Sequence, residues 1–210
     1  ALFSKDAEAL GLHTIPTEQD EEPAIQQNMG DQHPLHWNLP HPRNPFFTGR
    51  NVVLMHLYSL LHAQKAEQGY ALSGLGGIGK TQTALEYAYR FGAEYQAILW
   101  ARAETHEMLM SDIIAIAEIL GVAGKDEQDQ NDIVQAVRQW LTRHTHWLLI
   151  LDNVTDFACV EEVCPSVIRG HLLFTTRAQA TGLIAQRIDL KQMDAEEGAL
   201  SLLRRSKHVA

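Results

Sequence analysis

The sequence predicts a three-layer α/β/α sandwich around a mostly parallel, five-stranded sheet. Three observations carry that prediction. Short apolar runs alternate along the chain with stretches of helical periodicity, the order expected of βαβ units. The runs at Ala97-Ile98-Leu99-Trp100-Ala101, Trp147-Leu148-Leu149-Ile150-Leu151 and His171-Leu172-Leu173-Phe174 show no polar alternation, so each strand is covered on both faces, as in a parallel sheet. Polar groups then collect at the strand ends: a glycine-rich turn after Ser73, Asp152 after Leu151, and Thr175-Thr176-Arg177 after Phe174. Open α/β sheets bind their ligands outside the carboxyl ends of the strands, so these three endings converge on one place.

Composition sets the outer limits. The 210 residues suit one or two domains with a sizeable core, and 45% hydrophobic with 20% charged residues is ordinary for a globular protein. A net charge of −9 argues against nucleic acid or an anionic membrane as the main partner. It leaves room for a nucleotide, because a phosphate site is local and built mostly from backbone. No apolar run approaches the roughly 20 residues that span a bilayer, and Ala1 to Leu12 lacks the basic start and apolar core of a signal peptide. The two cysteines, Cys159 and Cys164, fall in a stretch with the helical apolar spacing Phe157, Val160, Val163, Cys164. They read as free, buried thiols, consistent with a reducing, cytoplasmic setting.

Taken in order, residues 1–41 read as a linker or flexible arm. They carry the acidic run Thr17-Glu18-Gln19-Asp20-Glu21-Glu22, a polar Gln26-Gln27-Asn28 and several prolines, with a short amphipathic helix conceivable over Phe3–Leu12. His33, His36 and His41 lack neighbouring carboxylates or thiols at ligand spacing, so they read as histidines of the arm rather than a metal site. Pro42 to Arg50 forms a turn. Val53, Leu54, Leu57, Leu60 and Leu61 predict a helix from Asn51 to about Gln68, ended by Gly69, with a strand at Tyr70–Ser73. After the glycine turn, Ala84, Leu85, Ala88 and Phe91 mark a helix from Lys80, and the strand Ala97–Ala101 follows. Helices are predicted from about Glu107 to Leu120 and, capped by Asn131 or Asp132, to about Arg143. The strand Trp147–Asp152, a short helix near Asp156–Val163, the strand from His171 and a last short strand at Arg187–Leu190 come next. Asp194 with Glu197 resembles a capping box before a helix through Leu200, Leu203 and Arg204.

Gly74-Leu75-Gly76-Gly77-Ile78-Gly79-Lys80-Thr81 fits the phosphate-binding loop pattern G-x-x-x-x-G-K-[ST] in full. The residue types follow from the chemistry. Glycines let successive backbone N–H groups turn inward into an anion-binding concavity, and the following helix aims its positive end at the same point. Lys80 reaches the β/γ-phosphates and the Thr81 hydroxyl holds Mg²⁺. A lone carboxylate at a strand end usually caps a helix. Asp152, on a buried strand beyond such a loop, reads instead as the acid that organises the Mg²⁺, partly through water. Arg177 ends a second buried strand, where a guanidinium can contact the γ-phosphate and register its presence.

The loop, Leu148-Leu149-Ile150-Leu151-Asp152 and Leu172-Leu173-Phe174-Thr175-Thr176-Arg177 occur in the order seen in NB-ARC domains, which belong to the signal-transduction ATPases with numerous domains (STAND NTPases). Phe46-Phe47-Thr48-Gly49-Arg50 resembles that family's N-terminal motif of two hydrophobic residues, any residue, then Gly-Arg, and Trp100 in the second strand and Leu190 with Leu202-Leu203 near the end also look familiar. The resemblance covers about Pro45 to Arg204. It implies a P-loop NTPase domain over 42–210 that binds ATP or ADP with Mg²⁺. It implies an adenine pocket partly made by Phe47, Thr48 and Arg50, and a nucleotide-binding set of Gly74, Gly76, Gly77, Ile78, Gly79, Lys80, Thr81 and Gln82. Thr81 and Asp152 would hold the metal, and Lys80, Asp152 and Arg177 would act on the triphosphate. It also implies self-association of the full-length protein when activated.

Two departures shape the functional expectation. The family usually places a second acid after the Asp152 equivalent; here it is Asn153, whose amide positions water but does not take its proton. Hydrolysis is therefore expected to be slow, or to use another carboxylate such as Glu104 or Asp156. The family also continues into helical and winged-helix domains, so the chain reads as a truncated nucleotide-binding core. The favoured function is an ATP/ADP regulatory switch. An ordinary ATP-driven enzyme, either an AAA+-like motor or a small-molecule kinase, stands as one alternative. A nucleotide-binding interaction module with little turnover stands as another.

Overall fold

Six parallel strands lie side by side in the order β1-β3-β4-β5-β2-β6, in a computed structural model that describes residues 34–63, 68–122, 129–193 and 195–206. The strands are β1 (His36–Trp37), β2 (Gly69–Ser73), β3 (Ala97–Arg102), β4 (Trp147–Val154), β5 (His171–Thr176) and β6 (Ala185–Asp189). The helices are α1 (Asn51–Leu61), α2 (Lys80–Arg90), α3 (His106–Leu120), α4 (Gln130–Arg143), α5 (Phe157–Glu161) and α6 (Ala195–Arg205).

The count of five strands is corrected to six by β1, which pairs His36 with Ala97 and Trp37 with Ile98 at the sheet edge. Its position comes from tertiary contacts. The His36 Nδ1 lies 2.9 Å from the Ile119 carbonyl, and Asn38 closes the pairing by accepting from Trp100 N and donating to Trp100 O. His36 is thus engaged structurally. Residues 1–33, including the expected Phe3–Leu12 helix, most of the expected arm and His33, lie outside the described residues.

Both faces of the sheet are buried, as continuous apolar runs require. Alternate residues of each strand enter different cores. Leu99, Trp147, Leu149, Leu151 and Phe174 pack with α3, α4 and α5 on one face. Ile98, Trp100, Leu148, Ile150 and Leu72 pack with α1 and α2 on the other. Every residue from Trp147 to Leu151 is fully buried, and each large apolar side chain contributes about 1.5–3 kcal/mol relative to exposure.

Local signals set most helix ends. The Thr105 side chain accepts from Met108 N to start α3, and Gly121, at φ +66°, ends it. The cap of α4 is Asp129, whose carboxylate accepts from Asn131 N at 2.9 Å, rather than Asn131 or Asp132. Helix α1 stops at Leu61 rather than near Gln68, and Gly69 opens β2. Glu86, buried in α2, pairs with Arg43 at 2.7 Å and Arg90 at 3.1 Å, which anchors the turn before α1 to the helix behind the glycine loop.

Candidate functional site

The glycine loop joins the end of β2 to the start of α2. Gly77 and Gly79 have φ of +75° and +99°, and nothing lies within 4 Å of where a Cβ would stand on either. The left-handed backbone demands glycine, and the concavity above it stays open. Lys80, only 7% exposed, donates from Nζ to the Gly74 and Leu75 carbonyls, both at 2.9 Å. Burial lowers its pKa, Arg177 adds repulsion, and Asp152 opposes both. The ammonium is therefore held over the loop, where an anion would relieve its desolvation.

Asp152 reaches this loop through a local irregularity. The β4–β5 ladder shifts register between Leu151 and Val154, and Asn153 adopts φ +60°. Such a bulge re-aims a side chain. Asp152 Oδ1 accepts from Thr81 Oγ1 at 2.9 Å and from Thr175 Oγ1 at 2.5 Å, while Thr175 Oγ1 accepts from Asn153 N at 2.8 Å. Thr175 thus fixes both the carboxylate and the bulge. Its bridging role was not apparent from sequence, where it was one of two hydroxyls at a strand end. The Thr81 hydroxyl and Asp152 carboxylate lie side by side, a pair of hard oxygen donors of the kind Mg²⁺ takes.

Arg177 follows β5 and crosses the loop. A Cβ on Gly76 would stand 3.4 Å from its Cζ, so a bare glycine leaves the guanidinium room beside the backbone. The structure thus gathers Lys80, Thr81, Asp152 and Arg177 around one end of the sheet, as their positions at strand ends predicted.

A cavity of about 470 Å³ opens beside the loop. Its lining draws Phe47, Thr48 and Arg50 from the turn before α1, Gly76, Gly77, Ile78, Gly79 and Gln82 from the loop and the start of α2, and Gln192, Met193, Ser201 and Arg205 from near the end of the described residues. The last four come from the approach to α6 and from α6 itself, and no sequence pattern pointed to them. Arg50, in a left-handed conformation at φ +62°, donates from Nη2 to Ile78 O at 3.0 Å, and its buried Nε has no hydrogen-bond partner. Asp194 lies outside the described residues. Glu197, the other residue of the expected capping box, accepts from Arg50 N at 3.2 Å. A Cβ on Gly49, at φ +72°, would stand 2.7 Å from the Glu197 Cδ, so the glycine also permits this approach. Arg204 reaches Thr48 Oγ1 at 3.5 Å, a second link between α6 and the turn before α1.

Cys164 is a buried free thiol, pushed up to about 12 by desolvation, whereas Cys159, expected to be buried too, is free but only partly buried, its Sγ 3.6 Å from Asp156 Oδ2. Among the described residues no group of three or more His, Cys, Asp or Glu side chains is placed to hold a metal, and no helix is long and apolar enough to cross a membrane.

Comparison with known proteins bears on this arrangement. The NB-ARC domain family matches residues 53–203. A nucleotide-binding leucine-rich repeat (NLR)-like protein of the fungus Hyaloscypha variabilis is 28% identical over 166 residues, 68% of this chain and 17% of its own length. The regulatory protein AfsR of Streptomyces coelicolor is 30% identical over 173 residues, 74% of this chain and 17% of its own. The chain therefore spans about 17% of the length of these curated relatives. Among solved structures, Cdc6p of Pyrobaculum aerophilum aligns with a TM-score of 0.55 at 15% identity, covering 81% of this chain and 52% of that one. A STAND protein with a tetratricopeptide repeat sensor from Pyrococcus horikoshii aligns at 0.52 and 20% identity, covering 80% and 27%. Those two likenesses concern the fold. With its loop, strand order and family match in agreement, the chain belongs to the NB-ARC domain family.

Proposed function

We propose that this chain is the ATP/ADP-binding core of a regulatory switch, holding nucleotide with Mg²⁺ and hydrolysing ATP slowly. The observation that carries the reading is the linked set at the strand ends: Lys80 poised on two loop carbonyls, and Thr81 bonded to Asp152. The open concavity over Gly77 and Gly79 is where phosphates would take backbone N–H donors. Lys80 would pair with the β/γ-phosphates. Thr81 and Asp152 would hold Mg²⁺, with phosphate oxygens and water completing its shell. That ion would supply charge neutralisation at the triphosphate. The cavity between Phe47 and Ser201 has the size and mixed lining for the base and ribose, with Phe47, Thr48, Arg50 and Gln82 in reach.

A switch needs contacts that differ between nucleotide states. Arg177, beside Gly76, is the group to read the γ-phosphate, and α6 is the element to respond at the base end. In the whole protein these would bias self-association. Net charge disfavours nucleic acid as a direct partner of this segment, and a cytoplasmic setting suits the free thiols. A holding module with little turnover is the second reading, favoured by the amide at Asn153.

The test is to denature freshly purified protein and identify released nucleotide by anion-exchange chromatography. Stoichiometric ADP supports the switch. Protein without nucleotide that turns ATP over at many per second contradicts it and favours an ordinary ATP-driven enzyme.

A further inference from the structure

Beside the nucleotide cavity the strand ends form a second, open one, of about 340 Å³, lined by Glu104, Asn153, Val154, Thr155, Arg177 and Ala178. We propose that Glu104 is the catalytic residue that accepts the proton of the attacking water, an inference that rests on the ATP-hydrolysing reading above. The motif position for an acid holds Asn153, and Glu104 supplies the carboxylate from the bend that follows the neighbouring strand β3.

The fold brings it there in three steps. Strand β3 pairs with β4 up to Arg102 opposite Asp152. Ala103 N then donates to Asp152 O at 2.7 Å, which extends the ladder past the strand end. Thr155 Oγ1 donates to Glu104 O at 2.9 Å and fixes its backbone against the end of β4. Glu104 thus comes to line one cavity with Asn153 and with Arg177, the proposed γ-phosphate contact.

The neighbouring carboxylates are committed elsewhere. Asp152 accepts from Thr81 and Thr175. Asp156 caps α5 by accepting from Ala158 N at 2.9 Å, takes the Cys159 thiol at 3.6 Å, and is absent from the cavity lining. Asp112 pairs with Arg102 at 2.7 Å. Glu104 is the carboxylate among the residues that line this cavity.

The step balances without a further reactant. A water in this cavity, oriented by the Asn153 amide, attacks the γ-phosphorus. A phosphorus–oxygen bond forms to the water, and the bond to the β–γ bridging oxygen breaks with its electron pair leaving on ADP. Glu104 takes the water's proton, and Arg177 balances negative charge on the transferred group. The products are ADP and inorganic phosphate.

The test compares the parent chain with E104Q, N153D and the E104Q/N153D double variant. Calorimetry reads ATP and ADP affinity, quenched single-turnover assays read hydrolysis, and ADP titration with aluminium fluoride reads transition-state complementarity. E104Q is expected to keep ATP affinity within about twofold while hydrolysis falls about 100-fold, the usual scale for loss of a general base. The affinity gained on adding aluminium fluoride should drop about tenfold. N153D, which places a carboxylate on the same cavity, should restore hydrolysis about tenfold in the E104Q background. Parental hydrolysis in E104Q with parental ATP affinity overturns the proposal. A parent that binds ATP without detectable hydrolysis also overturns it, yet leaves the nucleotide site standing. A parent that fails to bind ATP overturns both.

Discussion

At the scale of single residues, the account turns on what each polar group is bonded to. Asp152 is a metal-organising candidate because its Oδ1 meets the Thr81 hydroxyl at 2.9 Å across 71 positions of sequence. In D152N the carboxylate charge is lost while the shape is kept. EDTA should weaken ATP binding to the parent at least tenfold, about 1.4 kcal/mol, and change D152N by less than about twofold in calorimetry. Equal EDTA effects in both proteins would remove Asp152 from the metal site. The convergence of Lys80, Thr81 and Asp152 at one end of the sheet was legible in the sequence, the first two from the spacing of the glycine loop and the third from its place at the end of a buried strand. Thr175 and Glu197 were not. Thr175 acts through a bulge that no residue pattern announces, and Glu197 meets Arg50 from 147 positions away.

At the scale of elements, α6 is the part whose connections the sequence concealed. An amphipathic helix was legible there, but not its link to the turn before α1. Gly49 and Arg50 both have left-handed backbones, and the Glu197 carboxylate lies against them. E197A should speed amide exchange across α6 by about tenfold and weaken ATP binding, since Ser201 and Arg205 line the cavity. Unchanged exchange in α6 would show that this link does not hold the helix. Strand β1 was illegible for a different reason. Two residues carry too little pattern, and pairing with Ala97 and Ile98 decides their conformation. The central strands β3, β4 and β5 were legible because burial on both faces writes an unbroken apolar run.

Strand β5 also carries a pH dependence at its far end. His171 Nδ1 lies 2.7 Å from the Tyr95 hydroxyl, and its ring packs edge-on to His62 at 4.6 Å. Burial, reinforced by His62 and His146, pushes its pKa down to about 4 from the ordinary 6.5. Between those values the unfolded chain binds a proton that the folded chain refuses, so stability falls as pH drops from 6.5 to 4. The loss reaches at most about 3 kcal/mol at the bottom of that window. Denaturant titrations at pH 7 and pH 4.5 should show this slope in the parent and a flatter one in H171N. Equal slopes would place the pH dependence elsewhere.

At the scale of the whole molecule, a parallel sheet with helices on both faces brings three strand ends to one edge, and the chemistry follows from that convergence. The fold class was legible from patterning and a single motif. The part of the cavity's lining drawn from near α6 was not, because Gln192, Met193, Ser201 and Arg205 become neighbours of Phe47 only after the chain has crossed the sheet. The relatives are several times longer than this chain, and nucleotide binding is the part of the proposed switch that this chain itself can be tested for. The measurement that tests the central claim most directly is calorimetric titration of ATP, with Mg²⁺, into the parent chain and into K80A. The account predicts one site per chain in the parent and at least a hundredfold loss of affinity in K80A, with the fold retained by circular dichroism. Equal ATP affinity in both proteins would contradict it.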